Sequence, residues 1–176
     1  NFVMKSKILL LAVSLFSLVA CSSLNDITSN FSSGEVPAAI KNAVSSRVNP
    51  EKELYVLASS NLARSGSIIA QSRANKEAEV VLKSKVKKEV DSLFSGYIKN
   101  MDGFSKSVVS PVTSDLSSYA TDLIMKKVTQ KGAWEDSSKI YSLLSVPKNE
   151  IATISDKVFK NFIEGAVKKL DNSIKK

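Results

Sequence analysis

The chain has 176 residues, 25 Lys plus Arg against 17 Asp plus Glu, one cysteine, no histidine and 43% hydrophobic residues. This length predicts a single domain, and the apolar fraction is sufficient for a hydrophobic core. A lone cysteine excludes an internal disulfide framework. Without histidine, Ser-His and Cys-His catalytic pairs and two-histidine metal sites are excluded as well.

The first twenty residues have the pattern of an export signal. Met4 is followed by two cations, Lys5 and Lys7, and then by an apolar run at residues 8–19. As a helix this run would be about 18 Å long, whereas a bilayer core is about 30 Å thick. We therefore predict that residues 1–20 are a cleaved signal peptide and not a permanent span.

The apolar run ends in Leu18, Val19, Ala20 and Cys21. This sequence resembles the lipobox of bacterial lipoprotein signal peptides. The resemblance implies that Leu18, Val19 and Ala20 are recognised by the signal peptidase, which cuts before Cys21. It also implies a diacylglyceryl group on the Cys21 thiol and an acyl group on the new amino terminus. The alternative is a buried free cysteine at the end of a hydrophobic helix.

Two or three acyl chains on Cys21 would hold the protein on a membrane almost permanently, because each buried CH₂ contributes about 0.8 kcal/mol. By the sorting rule familiar from enteric bacteria, Ser22 after the cysteine favours the outer membrane. We therefore expect a protein that is lipid-anchored at the cell outer membrane, facing either the periplasm or the exterior.

Residues 21–35 are rich in serine and asparagine, with only Leu24, Ile27 and Phe31 as large apolar residues. This composition cannot bury enough surface to offset chain entropy, so it predicts a flexible tether. Residues 36–176 are predicted to form the single folded domain.

The domain begins with a predicted short helix between Pro37 and Pro50, followed by a strand from Glu53 to Leu62. A long helix is predicted from about Ser67 to Tyr97. Its apolar residues recur at i, i+4 steps, which is typical of one buried helix face: Ala70, Ala74, Ala78, Leu82, Val86, Val90 and Phe94. The opposite, charged face is either simply solvated or attracted to anionic lipid headgroups, lipopolysaccharide or cell-wall carboxylates.

The second half of the chain predicts a loop at residues 100–110 and then a helix that starts at Pro111. Periodicity leaves residues 119–128 open to either helix or strand. A β-hairpin is predicted from Val128 to Trp134 and from Ile140 to Val146, with Trp134 packed between hairpin and helix.

A final amphipathic helix is predicted after Pro147, with Asn149 or Ser155 as its N-cap. Lysines crowd its C-terminal end, where the helix dipole favours cations. Together these elements predict an α+β fold: a small antiparallel sheet with helices packed on one face and an amphipathic helix at the C-terminus.

The order of these elements resembles the "Lpp-twenty" family of bacterial surface lipoproteins. The resemblance covers residues 36–170 and includes the segment Tyr55 to Ser60, the alanines at 70, 74 and 78, and the following residues of the hairpin region: Gly132, Trp134, Glu135, Asp136, Ile140, Tyr141, Ser142, Leu143, Pro147 and Lys148. It implies a compact α+β unit in which helices cover one face of a small sheet, displayed on the outer membrane or cell surface.

The functional expectation is a non-catalytic interaction or structural module that contacts envelope proteins, the cell wall or a host surface. Self-association into a homo-oligomer is a further expectation. We predict no catalytic residues, no metal, no nucleic acid and no cofactor apart from the lipid on Cys21. The alternatives are an anionic-polymer binding domain and a Ser/Lys-type periplasmic hydrolase, for which Ser84-x-x-Lys87 and Ser173-x-x-Lys176 supply the residue types.

Overall fold

The computed structural model describes residues 36–62 and 66–175. The predicted signal peptide at 1–20 and the predicted tether at 21–35 lie outside these residues. The described elements, in chain order, are α1 (Ala38–Arg47), β1 (Glu53–Asn61), α2 (Gly66–Lys99), α3 (Gly103–Val109), a short 3₁₀ turn (Ser110–Val112), α4 (Thr113–Met125), β2 (Thr129–Glu135), β3 (Lys139–Pro147) and α5 (Lys148–Ile174). The predicted α+β class, with a small antiparallel sheet and a C-terminal helix, is confirmed.

The sheet has the order β1-β3-β2, and both pairs of neighbouring strands are antiparallel. Leu57 lies opposite Leu143 in the first pair, and Trp134 lies opposite Tyr141 in the second. The predicted hairpin is therefore present, with an irregular register between Gln130 and Gly132. Because β3 is hydrogen-bonded on both edges, it is the most deeply buried strand.

Helix α2 covers one face of this sheet through the predicted residues. All seven members of the i, i+4 series, from Ala70 to Phe94, are fully buried. Ala70 and Ala74 pack with Ile140 of the central strand. Because alanine projects only a methyl group, the first turns of the helix lie close to the sheet. Farther along α2, larger side chains belong to the same core cluster as Leu144 and Val146.

Helices α4 and α5 complete this layer. Ala120 and Ile124 of α4 and Ile151 of α5 join the core cluster formed by α2 and the sheet. Near the C-terminal end of α2, Phe94 packs against Phe159 of α5. Their ring centroids are 5.3 Å apart, in a tilted arrangement typical of aromatic pairs. The core thus extends beyond the sheet into a three-helix region.

The segment between α2 and α4 differs from the predicted loop. Residues 103–109 are helical because Asp102 caps them, accepting a hydrogen bond from the Ser105 backbone N–H at 2.9 Å. Val109 on this helix is buried in the core and anchors it. The predicted loop at 100–110 is therefore wrong over most of its length. The polar composition of this segment suggested a loop, but the Asp102 cap and the buried Val109 side chain stabilise a helix.

The ambiguity at residues 119–128 is resolved as helix up to Met125, where α4 ends, and residues 126–128 lie in the following turn. Its start is not at Pro111, which lies in the preceding 3₁₀ turn. The predicted N-caps of the last helix are also wrong. Helix α5 begins at Lys148 with Pro147 in the cap position, and Ser155 lies inside the helix, buried.

Trp134 lies on the sheet face opposite α2. Ser142 of the central strand contacts Asn75 of α2, so its neighbour Tyr141, and Trp134 across from it, point the other way. The indole lies over Gly132 of its own strand, where a Cβ atom would come within 2.4 Å of the ring. The indole therefore lies on the face of the hairpin away from the long helix, and Gly132 is required for space.

Candidate functional site

The predicted lipid-attachment residue Cys21 and the recognition residues Leu18, Val19 and Ala20 lie outside the described part of the chain. Within the described domain, the chemistry-bearing features include three polar clusters, a charged helix face and an open groove. Sequence reasoning anticipated the charged face but missed the groove and the partners within the clusters.

The first cluster contains Lys87 of the Ser84-x-x-Lys87 pattern, but Ser84 itself is exposed and the partners of Lys87 are Asp91 and Ser117. Lys87 Nζ lies 3.2 Å from Asp91 Oδ1 and 3.2 Å from the hydroxyl oxygen of Ser117, which is buried on α4. The Ser117 hydroxyl donates to Asp91. These contacts form a polar bridge between α2 and α4.

The second serine–lysine pattern does not form a described pair either. The hydroxyl of Ser173 donates to the carbonyl oxygen of Lys169 at 2.9 Å, within the same helix. Lys176 lies outside the described residues.

The second cluster lies at the turn of the hairpin. Asp136 accepts hydrogen bonds from the backbone N–H groups of Ser138 and Lys139, which hold the pKa of its carboxyl below the usual range. The other carboxylate oxygen accepts from the Tyr141 hydroxyl at 2.9 Å. Burial, together with this carboxylate, raises the pKa of Tyr141 to about 12. Tyr141 therefore stays protonated at physiological pH, and its hydrogen bond to Asp136 stabilises the turn.

The third cluster joins the two edge strands across the central one. Glu53 of β1 accepts a hydrogen bond from Ser145 of β3 at 3.1 Å and forms an ion pair with Lys131 of β2 at 2.9 Å. Its second oxygen accepts the backbone N–H of Asn49 at 2.9 Å. Burial by itself would raise the pKa of Glu53, but these hydrogen bonds and the Lys131 charge outweigh it and lower the pKa.

A Glu53→Gln variant is expected to lose about 1–2 kcal/mol of unfolding free energy at neutral pH, since a charge-assisted hydrogen-bond network is removed. The Glu53 side chain is only 14% exposed, so solvent screens the network weakly. Because the folded-state pKa is lowered from 4.5, this stabilisation is present above pH 4.5 and is lost as the pH falls through the folded-state value. Urea unfolding of both proteins between pH 2 and pH 7 measures the difference.

The exposed Glu51→Gln is the matched control for this experiment, and its unfolding free energy should stay within about 0.5 kcal/mol of the original at each pH. The interpretation of the Glu53 network would be wrong if Glu53→Gln lost the same amount at pH 2 as at pH 7, because proton linkage would then be absent.

The charged face of α2 is exposed, as predicted for a solvated face. Lys83 forms a 2.8 Å ion pair with Asp122 of α4. Side-chain hydrogen bonding to Asp122 raises the pKa of Lys83, and Glu79 one turn earlier contributes only a smaller electrostatic effect. For Lys83, pairing with the neighbouring helix therefore takes precedence over pairing with Glu79 within α2.

The groove lies between α4 and α5 and has a volume of about 800 Å³. Its apolar lining is formed by Leu116 and Leu123 of α4 and by Ile154, Val158 and Phe162 of α5. Among these, Val158 is buried and belongs to the main core, so the floor of the groove is the outer surface of that core.

Three exposed lysines lie around the groove: Lys126, Lys127 and Lys157. The remaining polar lining residue is Asn161, and no carboxylate lines the groove. The ion pairs found within residues 36–62 and 66–175 do not include these three lysines. The groove is therefore apolar within and positive at its margin, an arrangement suited to binding a ligand.

Across residues 36–62 and 66–175, no group of three or more Cys, Asp or Glu side chains is arranged to hold a metal ion. No helix in the same ranges is both long enough and apolar enough to cross a membrane. In comparisons with known proteins, no family model and no curated protein matches the chain.

Proposed function

We propose that this protein is a lipid-anchored lipoprotein of the bacterial envelope, placed at the outer membrane, whose α+β domain acts as a non-catalytic interaction module. One observation carries the proposal: the single cysteine, Cys21, directly follows Leu18, Val19 and Ala20 at the end of an apolar run that begins after two lysines. Only a thiol among these side chains is nucleophilic enough to form the thioether to a diacylglyceryl group.

The resemblance to the Lpp-twenty lipoproteins supports the same proposal at the level of the domain. The alternation of strand, long alanine-rich helix, hairpin and C-terminal helix is the order that this resemblance rests on. An interaction module also fits the chemistry of the domain. Its polar clusters are engaged in bridging elements of the fold, whereas its groove is open to an outside partner.

The test is incorporation of labelled palmitate by the full chain produced in a bacterium that has a lipoprotein pathway. The original protein is expected to take up label and to lose residues 1–20, and Cys21→Ser is expected to take up none. Ser22→Ala is the matched control and should be labelled like the original, because it changes a neighbouring side chain and keeps the thiol.

Mass spectrometry of the N-terminal peptide provides the second readout. A peptide that begins at lipid-modified Cys21 supports the proposal. An unmodified Cys21 with residues 1–20 still attached, or label retained in Cys21→Ser, would overturn it.

A further inference from the structure

The groove between α4 and α5 combines a concave apolar lining with three lysines, and solvent exposure of the core edge alone does not explain this combination. An exposed edge requires only polar side chains to face water, yet here five apolar side chains line a concave space of about 800 Å³. Volumes of this size, with mostly apolar walls and a few polar groups, are typical of sites for small ligands. Tyr119 keeps 58% of its surface exposed, so the groove margin also carries an exposed aromatic ring.

The shape of the groove favours an elongated ligand. Its α4 wall runs from Leu116 to Lys126, which is about 15 Å at the rise of an α-helix. The opposite wall is the stretch of α5 from Ile154 to Phe162. An alkyl chain would lie along the space between two such walls and bury its CH₂ groups against both.

The charges of the groove are all of one sign, and two of them lie at one end. Lys126 and Lys127 follow the last residue of α4, Met125, whereas Leu116 lies near the other end of the same helix. Lys157 adds a third cation from α5. The negative end of the α4 dipole accounts for part of the preference for lysine at 126 and 127. It does not account for Lys157, which lies within α5.

We propose that this groove binds an anionic amphiphile with a single alkyl chain, the chain lying against Leu116, Leu123 and Phe162 and the anionic group contacting Lys126, Lys127 and Lys157. Charge complementarity decides the class of ligand: the three cations favour an anionic group over a neutral one, and a small anion would leave the apolar walls exposed to water. The inference rests on the proposed function, since it gives the interaction module a ligand.

The test uses the full chain carrying Cys21→Ser, so that no covalent acyl chain competes, and measures binding of dodecanoate by titration calorimetry. One dodecanoate per chain is expected. Replacing Lys126, Lys127 and Lys157 together by alanine should raise the Kd about tenfold or more, because the charge-assisted contacts are removed. The matched control replaces Lys76, Lys88 and Lys99, three exposed lysines of α2, and should leave the Kd unchanged.

Two further arms separate the roles of the alkyl chain and the charge. Asn161→Trp, which places an indole in the groove at an exposed position, should abolish binding, whereas Asn172→Trp farther along α5 should not. Acetate and dodecyl maltoside, which share only the anionic group or only the chain with dodecanoate, should both bind at least about tenfold more weakly than dodecanoate. Circular dichroism of each variant establishes that the fold is retained.

The proposal is overturned if dodecanoate does not bind, if both lysine triples weaken binding equally, or if neither does. Equal weakening would show a response to net charge, and no weakening would place the ligand elsewhere, for instance at residues 8–19. Binding of dodecyl maltoside as tight as that of dodecanoate would also overturn it. Since palmitate labelling is measured separately on the protein with Cys21 intact, failure of the lipid anchor and failure of this groove are distinguishable.

Discussion

Phe94→Ala is expected to lower the free energy of unfolding by about 3–5 kcal/mol, the usual cost of removing a buried phenylalanine ring. Phe94 is fully buried near the end of α2, with ring centroids 5.3 Å from Phe159 and 6.1 Å from Tyr97. The substitution leaves a cavity where α2 meets α5, and the two neighbouring rings lose their contacts with Phe94. Urea unfolding followed by circular dichroism measures the loss.

The control for this prediction is Phe104→Ala on α3, where the ring is 67% exposed. Its unfolding free energy should change by no more than about 0.5 kcal/mol. Similar losses for Phe94→Ala and Phe104→Ala would contradict the burial that the structure assigns to these two rings.

Ala74→Leu is expected to destabilise the protein by roughly 1–3 kcal/mol or more through overpacking. Ala74 is fully buried and packs with Ala70 of its own helix and Ile140 of the central strand. Three additional carbon atoms have no space there, so the first turns of α2 must move away from the sheet. The melting temperature and the urea midpoint should both fall.

Ala152→Leu makes the same chemical change at an exposed position of α5 and should alter the unfolding free energy by no more than about 0.5 kcal/mol. If Ala74→Leu were as stable as the original protein, the close approach of α2 to the sheet would be wrong. This outcome would also remove the mechanical reason for alanine at 70, 74 and 78.

Of the candidate sites, only the proposed lipid-attachment site could be predicted from the sequence, because the prediction depends on a short contiguous pattern around Cys21. The groove could not be found in this way. Leu116 and Leu123 are separated from Ile154 and Phe162 by the whole hairpin, and they become neighbours only when α4 packs beside α5. Each of these residues could be assigned to the stripe of a helix, but no local pattern shows that the two stripes leave a space between them.

The polar clusters were beyond sequence reasoning for a related cause. Glu53 of β1 and Lys131 of β2 form an ion pair across β3, and β3 follows both residues in the sequence. Lys87 of α2 contacts Ser117 of α4, thirty residues away. In a chain rich in serine and lysine, each such residue has many candidate partners. Separation along the sequence does not determine which of these partners is contacted. The strand register and the packing of α2 against α4 determine it.

The sequence by itself determined the elements whose periodicity is long and regular: α2 with its seven buried residues, the hairpin, and the amphipathic helix at the C-terminus. Regular spacing suffices there, because a helix or strand with one apolar face can be buried in only one orientation. The tertiary structure decided the residues with mixed local preferences. It made 119–125 helical, made a helix of 103–109 and turned Trp134 away from α2. In these segments the local propensities are nearly balanced, so contacts with distant residues determine the outcome.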